Sequence, residues 1–263
     1  MTEQIAGDFL SLLASRQLPV LSAERAFTAH NASPNAPVQT QATTVFAFHY
    51  KDGVLMGGDR RATAGNIIVT DKVDKVIDID ATSILAIAGV PATAFEMARV
   101  MQTSFEYYRR SQLQNLSLPA KVRALARLLR ENLPMTMQGV GVVVPLFAGL
   151  DTQTNPPQPL IFFYDPLGAQ FQAVGYAASG SGSGSIRSIL SYQEKYGSPK
   201  PSEMNLQQAV QFTLRLLMTA SEFDAATGGI NPETNTYATI KILDADGVRT
   251  ISAEEQSGFL KAK

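Results

Sequence analysis

The chain contains no cysteine, which excludes disulfides, thiolate metal sites and a cysteine nucleophile. Its only imidazoles are His30 and His49, so a His-rich metal centre is impossible and a Ser-His-Asp hydrolase would have to use one of these two. His49 is expected to be an ordinary residue on the exposed side of a strand. Charge of either sign is not in excess: 22 Lys and Arg face 23 Asp and Glu, for a formal net charge of −1. No overall field therefore favours nucleic acid or an anionic membrane. Nor does any run approach the ~20 apolar residues that span a bilayer; residues 140–150 come nearest and are broken by Pro145. The first 14 residues carry Glu3 and Asp8 in place of a basic segment, so they do not read as a secretory signal. The cytoplasm fits these absences.

What is present is a chain of 263 residues, 45% of them hydrophobic, enough for a substantial core. Ile5, Phe9, Leu12 and Leu13 lie at helical spacing and suggest a short amphipathic helix. Residues 23–42 are rich in Ala, Ser, Asn, Pro and Gln without periodicity, as in a flexible leader. The composition changes at Thr43. Strands are predicted over residues 43–50 and 53–58, around the turn Lys51-Asp52-Gly53, and over 66–69, 75–79 and 83–88. A helix over 92–110 carries Ala94, Met97, Met101, Phe105 and Tyr108 on one face. A second begins after Ser117, with Pro119 in its first turn and Val122, Leu125, Leu129 and Leu133 along it. Strands at 140–148, 160–164 and 172–177 follow, then helices at 185–196 and 206–223. A hairpin over 236–243 and 248–251, turning at Asp246-Gly247, and a short tail close the chain. This order is that of an α+β fold, a four-layer αββα sandwich with two sheets face to face and helix pairs outside.

Asp59 lies sixteen residues after Thr43, and Lys75 sixteen beyond that. Two strands joined by a tight turn return the chain to its starting level, so the residue opening one strand can meet the residue ending the next. A threonine hydroxyl is a poor nucleophile unless a base and a local positive charge activate it. Lys75 paired with Asp59 supplies the charge. The base can be the threonine's own amine, which exists only if the bond between Ala42 and Thr43 is cut.

Three other segments carry chemistry. Gly180-Ser181-Gly182-Ser183 has no lysine to complete a phosphate loop, and its small residues permit close backbone approach. Asp224-Ala225-Ala226-Thr227-Gly228-Gly229 follows an apolar helix and reads first as its C-cap. Gly89 stands between a strand and a helix, where its N–H can point at a developing oxyanion.

Taken together, Thr43-Thr44-Val45, Gly57-Gly58-Asp59-Arg60-Arg61-Ala62-Thr63, Gly65-Asn66, Lys75-Val76, Ile87-Ala88-Gly89 and the two segments at Gly180 and Asp224 resemble proteasome β subunits, most closely the bacterial, actinobacterial type. The resemblance implies the N-terminal nucleophile hydrolase fold. It further implies a precursor with a leader over 1–42, self-processed between Ala42 and Thr43, and a catalytic domain over 43–263. Thr43 would be the nucleophile of a threonine endopeptidase, with Asp59 orienting Lys75. Ser181 would be the supporting serine, its register open to Ser179 or Ser183. Asp224 and Thr227 would surround the amine, Thr227 replacing a serine common in the family.

The same likeness gives Gly89 the oxyanion role and Thr63 backbone contacts to an extended substrate. It lines the pocket for the side chain before the scissile bond with Ala62, Val73, Ile77, Ile87, Pro91 and Phe95. All six are apolar, so hydrophobic residues should be preferred there. No cofactor or metal is implied. The partners implied are α subunits, further β subunits in a seven-membered ring, an ATP-dependent unfoldase and protein substrates, with no nucleic acid or membrane. One departure is Ala42, where the family usually has glycine. A six-membered-ring relative is disfavoured by Gly58-Asp59-Arg60-Arg61 in place of Gly-Asp-Gly-Gln and by the long leader. A non-catalytic structural ring subunit is disfavoured by the joint presence of the six candidate catalytic residues.

Overall fold

The computed structural model describes residues 43–64 and 67–261. The expected leader with its apolar stripe, Ala42, His30, and the pair Gly65-Asn66 lie outside the described residues. The strands are β1 Thr44–Tyr50, β2 Gly53–Gly58, β3 Ala62–Ala64, β4 Ile67–Thr70, β5 Val76–Asp80, β6 Ser83–Ala86, β7 Leu146–Asp151, β8 Gln158–Tyr164, β9 Gln170–Ala173, β10 Tyr176–Gly180, β11 Thr239–Asp244 and β12 Gly247–Ile251. The helices are α1 Pro91–Gln112, α2 Leu118–Glu131, α3 Leu133–Met137, α4 Ser183–Tyr196, α5 Leu206–Phe223 and α6 Ala253–Lys261.

Two five-stranded sheets result, ordered β10-β1-β2-β11-β12 and β5-β6-β7-β8-β9, with β3 and β4 forming a separate ribbon. The period-2 alternation of a strand explains how they stack. Along β1, Val45 and Ala47 face the second sheet, where they meet Val76, Ile84, Ala86 and Ala148. Phe46, Phe48 and Tyr50 face the other way, into a core built with α4 and α5 through Ile186, Leu190, Leu214 and Leu217. The outer face of the second sheet packs on α1 and α2 through Leu85, Met97, Met101, Leu125 and Phe147. The space between the sheets is filled by aliphatic side chains, while the buried aromatics Phe46, Phe48, Phe105, Phe147 and Tyr164 lie in the helix–sheet spaces. Each fully buried Phe or Leu contributes roughly 1.5–3 kcal/mol. The expected four-layer αββα sandwich is the observed architecture.

Several boundaries move, each for a local reason. The strand expected at 140–148 begins only at Leu146, because Pro145 has no N–H for a ladder. Residues 142–144 instead cover the end of β6: Val90 N–H donates to the Val142 carbonyl at 2.8 Å and Val144 N–H to the Ala88 carbonyl at 2.9 Å. The strand expected at 172–177 is two strands in different sheets. β9 pairs with β8 and β10 with β1, and the chain crosses between the sheets at Val174-Gly175. Leu133 belongs to the separate short α3. The tail is a helix, α6, whose start is a capping box: Ser252 N–H donates to Glu255 Oε2 at 2.8 Å and Glu255 N–H to Ser252 Oγ at 3.2 Å. His49 is half-buried, contrary to its expected exposure, and burial lowers its pKa. Among the described residues no helix is long and apolar enough to cross a membrane.

Candidate active site

Five strand ends meet at one edge of the sandwich. Thr43 directly precedes β1, Asp59 follows β2 and Ser181 follows β10, all in the first sheet; Lys75 precedes β5, and Gly89 lies just past β6, in the second. Antiparallel pairing makes this meeting obligatory, since Val45 lies opposite Gly58 and Thr44 opposite Gly180. The loop after α5 brings Asp224, Thr227 and Gly228 to the same edge.

Asp59 is its centre, and its side chain is entirely buried. Oδ1 accepts the Lys75 ammonium at 2.7 Å and the Thr44 N–H at 2.8 Å. Oδ2 accepts the N–H groups of Arg61 and Gly228, each at 2.9 Å. A buried carboxylate without partners would be prohibitively costly; here four donors satisfy it. Lys75 is 2% exposed. Burial pushes its pKa below the ordinary lysine value, outweighing the opposing charge and hydrogen bond of Asp59.

A second chain of hydrogen bonds fixes the start of β1. The Thr43 carbonyl accepts Ser181 N–H at 2.9 Å, and Ser181 Oγ donates to Asp224 Oδ2 at 2.6 Å. Thr227 Oγ1 donates to the same carboxylate oxygen at 2.6 Å. Its one proton is thereby used, so Thr44 Oγ1, 2.6 Å from Thr227 Oγ1, is the donor of that pair and itself accepts Gly182 N–H at 3.0 Å. Burial raises the proton affinity of Asp224, but the bonds from Ser181, Thr227 and Ala226 N–H, with the Lys75 charge, hold its pKa below the usual carboxylate value. Among the three serines left open, Ser181 is the one bonded to Asp224. Ser179 Oγ donates elsewhere, to the Val144 carbonyl at 2.7 Å, and Ser183 opens α4.

Two glycines make these approaches possible. Gly180 has φ +92°, and a Cβ there would sit 1.9 Å from the Thr43 carbonyl oxygen. Gly89 has φ +110°, and a Cβ would lie 2.1 Å from the Val142 carbonyl oxygen.

Two clefts share Val90 in their walls. One, of about 290 Å³, is lined by Ala62, Val69, Val73, Pro91 and Phe95; the other, of about 390 Å³, by Gly89, Val142, Gly180 and Arg187 among others. Four of the six residues expected in the apolar pocket are on the first wall. Ile77 and Ile87 are not: alternation along β5 turns Val76 between the sheets and Ile77 toward α1, and Ile87 is buried in that same helix-facing core. Thr63 is buried in β3. Among the described residues no His, Asp or Glu cluster is arranged to hold a metal.

Two supporting residues escaped sequence reasoning. Arg61 pairs with Asp71 at 2.9 Å and donates from Nη1 to the carbonyls of Ala225 and Thr227 at 3.2 and 3.4 Å, clamping the loop that carries Asp224. Thr44 links β1 to Thr227 and Gly182. The only signals were an Arg-Arg pair and a tandem threonine, both of which default to ordinary surface or strand roles.

Two face-to-face antiparallel sheets between helix pairs, with a threonine at the head of the first strand, define the N-terminal nucleophile hydrolase fold. The chain belongs to the proteasome subunit family, whose model, described as "Proteasome subunit", matches residues 39–231. Within that family it is similar to proteins named proteasome subunit beta. That of Acidothermus cellulolyticus is 34% identical over 257 residues, covering 96% of this chain and 84% of the relative. That of Acidimicrobium ferrooxidans is 36% identical over 209 residues, covering 80% and 73%. Proteasome subunit beta 2 of Thermomonospora curvata is 35% identical over 249 residues, covering 95% and 85%.

Proposed function

We propose that this β subunit is a threonine endopeptidase of a proteasome core particle, with Thr43 as nucleophile after removal of residues 1–42. The observation that carries the reading is the sharing of Asp59 Oδ1 between the buried Lys75 ammonium and the N–H of the residue next to Thr43. A buried positive charge held at the head of β1 supports this reading.

In the mature subunit the Thr43 hydroxyl attacks the scissile carbonyl carbon, and its proton passes to the Thr43 amine. Lys75 lowers the proton affinity of both groups. Gly89 N–H stabilises the oxyanion. Collapse breaks the C–N bond, and the amine hands the proton to the departing nitrogen. Water then hydrolyses the acyl-threonine ester, restoring the hydroxyl. In self-processing the Thr43 hydroxyl attacks the Ala42 carbonyl while its own nitrogen is still an amide. An ester forms as the Ala42–Thr43 C–N bond breaks and the hydroxyl proton goes to the departing nitrogen, which frees the Thr43 amine; hydrolysis of the ester then releases the leader and restores the hydroxyl. The Ala42 methyl group slows that approach relative to glycine. Ser181, Asp224 and Thr227 hold the start of β1 and the amine in place.

Thr63 offers backbone groups to an extended substrate. The cleft walled by Ala62, Val73, Pro91 and Phe95 takes a hydrophobic side chain, because an unpaired charge there would be desolvated at a cost. The subunit assembles with α subunits and further copies of itself in seven-membered rings, receives unfolded proteins from an ATP-dependent unfoldase, and works in the cytoplasm. The test is intact-mass analysis of the assembled particle alongside cleavage of a hydrophobic fluorogenic peptide. Loss of residues 1–42 in the wild type, with retention of the leader and no cleavage in Thr43→Ala, is the expected result. Cleavage by the Thr43→Ala particle would overturn the assignment.

A further inference from the structure

We propose that the cleft beyond Gly89 receives the residue that follows the scissile bond, and that Arg187 makes it prefer Asp or Glu there. The inference rests on the reading of Thr43 as nucleophile. Both clefts border Val90, and the second is also walled by Gly89 and Gly180, the latter packed against the Thr43 carbonyl. A substrate with its acyl side chain in the apolar cleft and its carbonyl at Gly89 N–H directs its departing nitrogen past Gly89, which walls the second cleft.

The chemistry of the two clefts differs. The first is lined by apolar side chains alone. The second combines an apolar floor of Ala88, Val142 and Val144 with the guanidinium of Arg187. Arg187 Nε and Nη2 both donate to the Ala178 carbonyl, at 3.2 and 2.5 Å, which fixes the planar group. Among the described residues Arg187 has no carboxylate partner, so its charge is uncompensated. It stands one turn into α4, whose first turn carries no acidic residue, and the helix N-terminus adds to the positive potential. A carboxylate on the departing side completes this arrangement, and a lysine there is repelled.

The experiment uses the assembled, processed particle and internally quenched peptides identical except for Glu, Gln or Lys after the scissile bond. At low salt the Glu peptide should exceed the Lys peptide about fivefold in kcat/KM, as suits one partly exposed ion pair, and the ratio should shrink as salt rises. Arg187→Gln should bring the ratio close to one, and Arg187→Glu should invert it. Equal cleavage of the Glu and Lys peptides by the wild-type particle at low salt overturns the proposal without recourse to a variant, as does an unchanged ratio in Arg187→Gln. A hydrophobic peptide ending in a fluorogenic amide, with no residue on the departing side, separates the two levels. If the wild-type particle cannot cleave it, the threonine-peptidase reading fails, and this proposal with it.

Discussion

Lys75 Nζ and the Thr44 N–H share one oxygen of Asp59, at 2.7 and 2.8 Å. The carboxylate thus couples the position of a charge in the second sheet to the backbone of β1 in the first. Asp59→Asn presents an amide with too few acceptors for these donors and leaves Lys75 buried without its counter-charge. We expect a stability loss of about 3–5 kcal/mol in denaturant unfolding. Peptide cleavage should fall by at least about 100-fold in Lys75→Ala, and Lys75→Arg should not restore it, because a planar guanidinium does not fit where a compact ammonium does. Near wild-type turnover in Lys75→Arg would place the required charge elsewhere.

The hydroxyls of Ser181 and Ser179 point to separate partners, so their substitutions should separate function from stability. Ser181→Ala removes a donor from Asp224, whose proton affinity then rises. Cleavage should drop by about tenfold or more. Ser179→Ala breaks a bond to the Val144 carbonyl and should cost about 1 kcal/mol of stability, with a far smaller effect on kcat. Steady-state kinetics and unfolding of both variants give the comparison; the reverse ranking would reassign the supporting serine.

Thr227 bonds Asp224 through a hydroxyl that serine also carries. Thr227→Ser should therefore retain most activity, whereas Thr227→Val keeps the shape, strands the Thr44 hydroxyl and leaves Asp224 short of a donor. A loss of about 1–3 kcal/mol is expected for the valine variant, read as a shift in unfolding midpoint together with reduced cleavage.

Away from the site, Asp80 Oδ2 meets the buried Lys121 ammonium at 2.6 Å, and Oδ1 accepts Ser83 Oγ at 2.7 Å. Burial raises the Asp80 proton affinity, but Lys121, Ser83 and the Thr82 N–H more than reverse this, so its folded pKa lies below the ordinary 3.8. In the interval between the folded and unfolded values the unfolded chain binds more protons, so stability rises with pH. The contribution is fully present above about pH 4 and is lost as pH falls through the folded value. Asp80→Asn should lower Tm at neutral pH, by the equivalent of about 3 kcal/mol, and the gap from wild type should narrow in strong acid. A gap independent of pH would show that the pair is not what stabilises this corner.

The features legible in the sequence were those set by local register. Thr43 and Asp59 meet because a tight turn and antiparallel pairing fix strand ends from neighbouring residues alone, whereas Lys75 comes from the facing sheet and is held by its ion pair with Asp59. What escaped depended on distant partners. Residues 172–177 read as one strand, and only the two sheets reveal that β9 and β10 belong to different layers. Ile77 and Ile87 were placed in the pocket by the family likeness, whereas in the folded chain both pack in the core under α1 and α2. The Arg61 clamp was hidden because Arg-Arg normally faces water; its partners, Asp71 and the carbonyls of Ala225 and Thr227, become neighbours only in the folded chain. The α6 helix had its capping box in view at Ser252 and Glu255, a signal passed over because the segment was short.

The Oδ2 atom of Asp59 also accepts the N–H of Gly228, 169 residues downstream. A ribosome that has released Thr43, Asp59 and Lys75 has therefore not yet released a complete site, since the loop that closes over the carboxylate is among the later parts to emerge. The Asp59 carboxylate thus gains its last donor late in synthesis, and a product truncated before Gly228 carries Thr43 without the loop that completes this setting.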